Sequence, residues 1–289
     1  MVKFAACQYA LERFASWDEF ATHFAALVDE AAASGAEIVL MPEYSAMALT
    51  GLLNDELCAD LNGSIAAIQP LLPEFLKLSE ELARKHGIWF CPGSAPVLDP
   101  DDKFRNRAFL FGPDGPVGVQ DKIVMTRFER EQWNIAAGVD GLNTFETPFG
   151  KLGILICYDN EFPLLARRLA EEGVDLVLSP SCTDTEAGYY RVRIGAQARA
   201  LENQFAVLVS PTAGHAPWSP AVDTNCGKAA LYVPSDYGMP PSGVWCESEA
   251  VFTASSRWLY GEIDLADVAR LRHEGQVALF RHWPDQYLP

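Results

Sequence analysis

Histidine and positive charge are both scarce in this chain. Five histidines occur in 289 residues, and 22 lysines and arginines face 39 acids, giving a formal net charge of −17. An excess of negative charge that large argues against a nucleic-acid partner and against an anionic membrane surface. No apolar run is long enough to span a bilayer, and the amino terminus lacks the charged-then-apolar pattern of a signal peptide. There is no CxxC pair, no HExxH, and no clustered His/Asp set at metal-ligand spacing, so no metal is expected. The seven cysteines are odd in number and scattered, which predicts a reduced, cytoplasmic setting and not a disulfide framework. No low-complexity linker divides the chain, so a single domain over 1–289 is expected. What is plentiful is hydrophobic sequence, 49% of the residues with 11% aromatic, enough for a large core.

Within that frame one stretch stands out, Gly153-Ile154-Leu155-Ile156-Cys157-Tyr158-Asp159-Asn160-Glu161-Phe162-Pro163. A short apolar run ends on a cysteine, and acidic and amide residues follow before a proline. This reads as a buried strand delivering Cys157 to a tight turn, with Pro163 in the first turn of a helix. Backbone N–H groups at such a helix start would favour the thiolate, the reactive form. Taken alone, the stretch describes a buried structural cysteine equally well.

The remaining chain alternates strand and helix patterns. Val2 to Tyr9 is a predicted strand. Ser16-Trp17-Asp18-Glu19 is a capping box opening a helix whose face is Phe20, Phe24, Leu27, Val28 and Ala31, and Gly35 ends it. Ile38–Met41 is a buried strand stopped by Pro42, with Glu43 just past its end. In open α/β sheets that edge is where sites form. Ser45 to Asn62 reads as a loop, and a second helix runs from about Pro73 to His86 with Gly87 as its stop. Arg105–Phe111 and Val117–Val124 flank the turn Gly112-Pro113-Asp114-Gly115, which puts Lys122 late in the second hairpin strand. By itself a lysine there also fits a solvated edge. Residues Thr126 to Gly138 form a structured loop. A helix follows the cysteine strand and ends at Gly173. Further strands are expected at Asp175–Ser179, Phe205–Ser210, Ala229–Val233, Ala250–Ala254 and Leu259–Ile263, with helices at Arg191–Asn203 and Leu265–His273. Two comparable runs of sheet and helix in one domain predict a two-sheet sandwich with outer helices.

Three strand-end residues now carry a resemblance. Leu40-Met41-Pro42-Glu43, Gln120-Asp121-Lys122-Ile123 and Ile156-Cys157-Tyr158-Asp159 with Phe162-Pro163 resemble, in order, the three motifs of the nitrilase superfamily of carbon–nitrogen hydrolases. Ala198-Arg199-Ala200-Leu201-Glu202-Asn203 is similar to the family's helix after the nucleophile. The resemblance implies a four-layer α-β-β-α sandwich, a Glu43–Lys122–Cys157 active site, no cofactor, a small amide-type substrate, and a dimer or higher homo-oligomer. Contacts for that assembly are expected from the helix and aromatic tail over 265–289. The family also carries a second glutamate between the lysine and the cysteine. Glu131 and Glu129 both qualify, and Glu131 is favoured as the group orienting Lys122 and the attacking water. A surface carboxylate is the plain alternative for either. One departure is Leu164, where many relatives carry Glu after Phe-Pro.

Tyr158 after the nucleophile is more like the amidase and carbamoyl-amide branches than true nitrilases. Asp184, Tyr190 and Arg191, with Tyr189 and Arg193, follow the next strand, where such proteins line their pockets. An arginine there would clamp a substrate carboxylate or simply pair with one of the many acids. His215 and Trp218 lie in the next loop, and Cys182 occupies a strand end without matching a motif. Three functional readings follow: an amidase acting on a small amide or carbamoyl compound, a nitrilase, and a non-catalytic protein retaining the fold.

Overall fold

Strand alternation sorts the apolar residues onto three separate surfaces. Along the strand Val2–Ala10, Val2, Phe4 and Ala6 join one buried cluster while Ala5, Cys7 and Tyr9 join another. Ile38–Leu40 behaves the same way, with Ile38 and Leu40 on one side and Val39 on the other. So does Leu176–Ser181, where Leu176 and Leu178 face opposite to Val177. Successive side chains of a strand point to opposite faces of its sheet, so an apolar residue at every position means a sheet covered on both sides.

The computed structural model describes residues 1–287, so residues 288 and 289 of the expected 265–289 contact segment lie outside the described residues. Two sheets face each other. The first runs Ser94–Leu98, Phe104–Gly112, Trp89–Cys91, Ile38–Leu40, Val2–Ala10, with Arg257–Ile263 antiparallel to Val2–Ala10. The second runs Thr144–Thr147, Gly150–Ile154, Leu176–Ser181, Ala206–His215, Ala230–Tyr232, Val244–Glu247. Among the described residues, they join directly through a short parallel pairing at Tyr9–Thr212 and Ala10–Ala213. Between them lies a cluster with Phe4, Ile38, Leu110, Ile154, Leu178 and Leu208. The outer face of the first sheet packs on the helices Trp17–Ala33 and Leu72–His86 through Phe20, Phe24, Val28, Phe75 and Leu82. The outer face of the second packs on Pro163–Glu171 and Glu186–Asn203 through Leu165, Leu169, Ala196 and Ala200. The four-layer α-β-β-α sandwich expected from the sequence is the architecture found.

Local signals set many of the boundaries. Ser16 accepts from the Glu19 N–H, and Gly87 closes the Leu72–His86 helix in the left-handed conformation at φ 65°. Two expectations need correction. Ser45–Asn62 is no loop. It is a buried 3₁₀ helix over Ser45–Leu52 followed by short helices at Asp55–Ala59 and Leu61–Ala67, capped by Asn54 and Asp60. Its small residues, Ala46 and Ala48 among them, are fully buried in the core cluster on the outer side of the first sheet, where space is tight. Ala250–Ala254 forms no strand. The Ala250 carbonyl accepts from the Gln8 side chain and the Val251 carbonyl from the Gly227 N–H, and the edge strand is instead Val244–Glu247.

Candidate active site

Each strand end named by the sequence brings its residue to one place. Glu43 follows Ile38–Leu40 by way of Pro42. The turn there is fixed by Tyr44, held left-handed at φ 57°, with its N–H donating to Ser94 Oγ at 2.9 Å. This loop lies so close to the neighbouring strand end that a Cβ on Gly93 (φ 87°) would collide with the Pro42 carbonyl, which only glycine avoids. Lys122 stands one residue beyond the hairpin strand Gly115–Asp121, its N–H bonded to the Asn106 carbonyl at 2.8 Å. Cys157 opens a 3₁₀ turn over Cys157–Glu161 and is itself left-handed at φ 49°, an uncommon conformation for a residue with a side chain.

That turn is over-determined by its surroundings. Asp159 accepts from the N–H groups of Ile123 at 3.2 Å, Val124 at 2.8 Å and Ile156 at 3.3 Å, tying the lysine segment to the cysteine turn. Asn160 Nδ2 donates to the Cys157 carbonyl at 3.0 Å and to Ser179 Oγ at 2.7 Å. The Glu186–Asn203 helix presses in from outside, where Arg199 donates to the Asn160 carbonyl at 3.0 Å and a Cβ on Gly195 would meet that same oxygen at 2.8 Å.

At the centre, Lys122 Nζ donates to Glu43 Oε1 at 2.7 Å and to Glu129 Oε2 and Oε1 at 2.8 and 2.9 Å. Asn106 Nδ2 reaches Glu43 Oε1 at 2.8 Å, and the Tyr44 hydroxyl donates to Glu129 Oε1 at 2.6 Å. All of these groups are buried. The Cys157 thiol, 4% exposed, donates to the Cys182 carbonyl at 3.5 Å. Glu43, Lys122, Glu129 and Cys157 line one cavity of about 350 Å³, walled also by Tyr44, Trp133, Tyr158, Asp184 and Arg191.

Burial sets the protonation states. It pushes the Glu43 carboxyl up to about 7, opposed by the charge of Lys122, assisted by the like charge of Glu129, and opposed again by the hydrogen bond from Lys122. Burial alone would lower Lys122, but the two carboxylates outweigh it and hold the ammonium well above its usual range. Glu129 is likewise pushed up by burial yet ends below its usual range, because Lys122 and the Tyr44 hydroxyl support its charge. The Cys157 thiol is raised well above 9 by burial and by Glu43, against the pull of Lys122. Burial and Glu43 therefore work against the thiolate that a helix start would favour, beside a carboxyl raised toward neutrality.

The second glutamate is also corrected. Glu129, not Glu131, meets Lys122. Both lie on the five-residue helix Arg127–Glu131, but two residues turn a helix by about 200°, and Glu131 points to solvent, bonded to Arg127 Nε at 2.8 Å. The sequence held a signal for this. Thr126-Arg127-Phe128-Glu129 is a capping box, in which the Thr126 side chain accepts from the Glu129 N–H and the Glu129 carboxylate reaches back to the Thr126 N–H at 2.8 Å. Of the expected pocket residues, Tyr158, Asp184 and Arg191 line the cavity. Tyr190 does not: it lies on the outer side of its helix, 47% exposed, because the inward position of that turn is taken by the buried Tyr189. Arg193 pairs with Glu247 at 3.1 Å, away from the cavity. Tyr44, Asn106, Asp159 and Asn160 were not anticipated, since nothing in their local sequence marks them. Among the described residues no group of three or more His, Cys, Asp or Glu side chains is arranged to hold a metal, and no helix is long and apolar enough to cross a membrane.

Comparison with known proteins agrees with this geometry. The carbon-nitrogen hydrolase family model matches residues 3–272. The probable hydrolase YhcX of Bacillus subtilis is 33% identical over 276 residues, which cover 96% of this chain but only 52% of YhcX, so the chain spans about half the length of that relative. The omega-amidase NIT2 of Homo sapiens is 28% identical over 272 residues, covering 90% of this chain and 87% of NIT2. In fold, a carbon-nitrogen hydrolase from Helicobacter pylori superposes with a TM-score of 0.75 at 19% identity, over 98% of this chain and 93% of the other. A match across nearly the whole length, on a sandwich that gathers all three motif residues into one cavity, leaves one conclusion: the chain belongs to the carbon-nitrogen hydrolase family.

Proposed function

We propose that this chain hydrolyses the C–N bond of a small amide or carbamoyl compound through a thioester on Cys157. The observation that carries the reading is a buried thiol and a carboxyl raised toward neutrality lining one cavity, with a charged lysine held between that carboxyl and a second one. The amidase names of relatives such as omega-amidase NIT2 and the tyrosine after Cys157 support amides over nitriles.

The chemistry follows from the protonation states. As the sulfur attacks the carbonyl carbon, Glu43 takes the thiol proton and an oxyanion forms. In the resting site all three Lys122 N–H groups are engaged, one by Glu43 and two by Glu129. Protonation removes the charge of Glu43 and loosens its hold, which frees that donor for the oxyanion. The Tyr158 N–H, in the first turn of the 3₁₀ helix where no intrahelical acceptor exists, supplies a second donor. Glu43 then passes its proton to the departing nitrogen, the C–N bond breaks, and ammonia or amine leaves a thioester. Water, deprotonated by Glu43, attacks the thioester and regenerates the thiol and a carboxylic acid. Glu129 keeps Lys122 charged and aligned throughout.

An ammonia-release screen over small amides, carbamoyl compounds and nitriles tests the reading. Turnover of amides, with an acyl adduct on Cys157 found by mass spectrometry, is expected. Turnover of nitriles alone overturns it in favour of a nitrilase. We also propose a homodimer. Tyr190, Ile194 and Leu201 leave an exposed apolar stripe along the outer helix Glu186–Asn203, and Val277 and Leu279 add apolar surface near the carboxyl terminus. Light scattering at micromolar concentration should give twice the chain mass.

A further inference from the structure

The rim of the cavity carries charge of both signs, and its arginines each face a carboxylate while two of its aspartates face no cation among the described residues. Arg127 and Arg191 line it, and each holds a carboxylate: Arg127 Nε bonds both oxygens of Glu131 at 2.8 and 2.9 Å, and Arg191 Nε lies 3.5 Å from Glu161. Asp184 and Asp223 line the same cavity, are exposed, and have no ion pair or side-chain hydrogen bond among the described residues. They sit on one wall. Thr183 Oγ1 donates to the Cys226 carbonyl at 2.6 Å, the Cys226 N–H donates back to Thr183 at 2.9 Å, and Cys182 Sγ reaches Asn225 Oδ1 at 3.4 Å, so the turn bearing Asp184 is fastened to the segment bearing Asp223.

Two further observations bear on what enters. The cavity is already marked as a ligand site by the Cys157 thiol and Glu43 at its floor, independently of its rim. Its walls also present aromatic side chains, Tyr44, Phe128, Trp133 and Tyr158, and aromatic faces attract cations. Deeper down, the single Lys122 charge is opposed by both Glu43 and Glu129. A substrate carboxylate would meet arginines whose Nε groups already face Glu131 and Glu161, and the repulsion of two carboxylates that face no cation among the described residues. A substrate cation would meet two free carboxylates and an aromatic wall, within the field of a chain of net charge −17.

We infer that the substrate is a cationic amide, with an ammonium or guanidinium group at the end remote from the scissile bond, selected by Asp184 and Asp223. This rests on the amidase reading above. It replaces the carboxylate clamp that Arg191 suggested in the sequence.

The test is a matched set of straight-chain amides of equal length ending in ammonium, methyl or carboxylate, assayed with the intact chain. An exposed carboxylate near a cation is worth up to about a fivefold factor. The pair should therefore raise kcat/KM for the ammonium compound over the methyl compound by about tenfold, mostly through KM, with the carboxylate compound poorest. Raising ionic strength from about 0.01 to about 1 M should shrink the preference. In the double variant Asp184→Asn with Asp223→Asn, the ammonium-to-methyl ratio should fall to within about twofold. Preference for the carboxylate compound, or a ratio unchanged in the double variant, overturns the inference. Hydrolysis of all three amides without charge preference sinks this inference and leaves the amidase reading standing. Failure to hydrolyse any amide, while a nitrile is turned over, sinks both.

Discussion

Glu129 and Glu131 sit two residues apart on the same short helix, and each bonds a cation at 2.8 Å, yet they live in different media. Glu129 has 3% of its side chain exposed and shares Lys122 with Glu43, a hydroxyl from Tyr44 and the backbone of Thr126. Glu131 is 55% exposed, and its partner Arg127 is 86% exposed. Equal distances hide unequal consequences. In water the Arg127–Glu131 attraction is screened and offset by side-chain entropy, so such pairs contribute about 0–1 kcal/mol. In the interior, removing one partner leaves a charge that nothing solvates, at a cost of about 3–5 kcal/mol. Burial, more than contact, decides which carboxylate belongs to the site.

The largest effect expected on the inner region is from Cys157→Ala. Turnover should fall by at least about 10³-fold, since the proposed thioester needs this sulfur. Thermal unfolding and the light-scattering mass should be those of wild type. Near-normal activity in this variant would remove the nucleophile. Lys122→Met should be the most destabilising, by about 3–5 kcal/mol in chemical denaturation, because two buried carboxylates lose their counter-charge. A loss below about 1 kcal/mol would mean that the trio is wetter than its burial indicates.

Glu129→Gln and Glu131→Gln set the two regions directly against each other. The first should lower kcat by about 10²–10³-fold. The second should leave kcat within about twofold and stability within about 0.5 kcal/mol. Equal losses would break the comparison. The pH profile sharpens it further. Glu43, raised by burial to about 7, accepts the thiol proton only as the carboxylate. Activity should therefore climb as pH rises through about 7 and flatten above it. Glu131→Gln should leave that limb in place, whereas a limb near the ordinary carboxylate value would show that Glu43 is not the base.

The same contrast explains how much was legible from residues alone. Glu43, Lys122 and Cys157 could be placed at strand ends because each follows a strand whose hydrophobic pattern is local, and the resemblance of the three motifs then marked them as a set. The choice between Glu129 and Glu131 turns on helical phase, which the Thr126–Glu129 capping box fixes and which favours Glu129 over the expected Glu131. Tyr190 and its buried neighbour Tyr189 share a composition and differ only in which way the helix is rotated against the second sheet. Asp159 and Asn160 anchor the nucleophile turn through partners at 123–124 and 179, distances along the chain that no local pattern encodes.

By itself, then, the sequence determined the two-sheet sandwich and its crossover helices, because alternation, caps and turn residues act over a few positions, and the resemblance of its three motifs pointed to the residues at the strand ends. Only the tertiary structure decided the upward push on the Cys157 thiol, which glutamate meets Lys122, and the unpaired negative charge at the rim. Those depend on which groups lose water and which find a partner when distant segments meet, and desolvation is a property of the packed molecule.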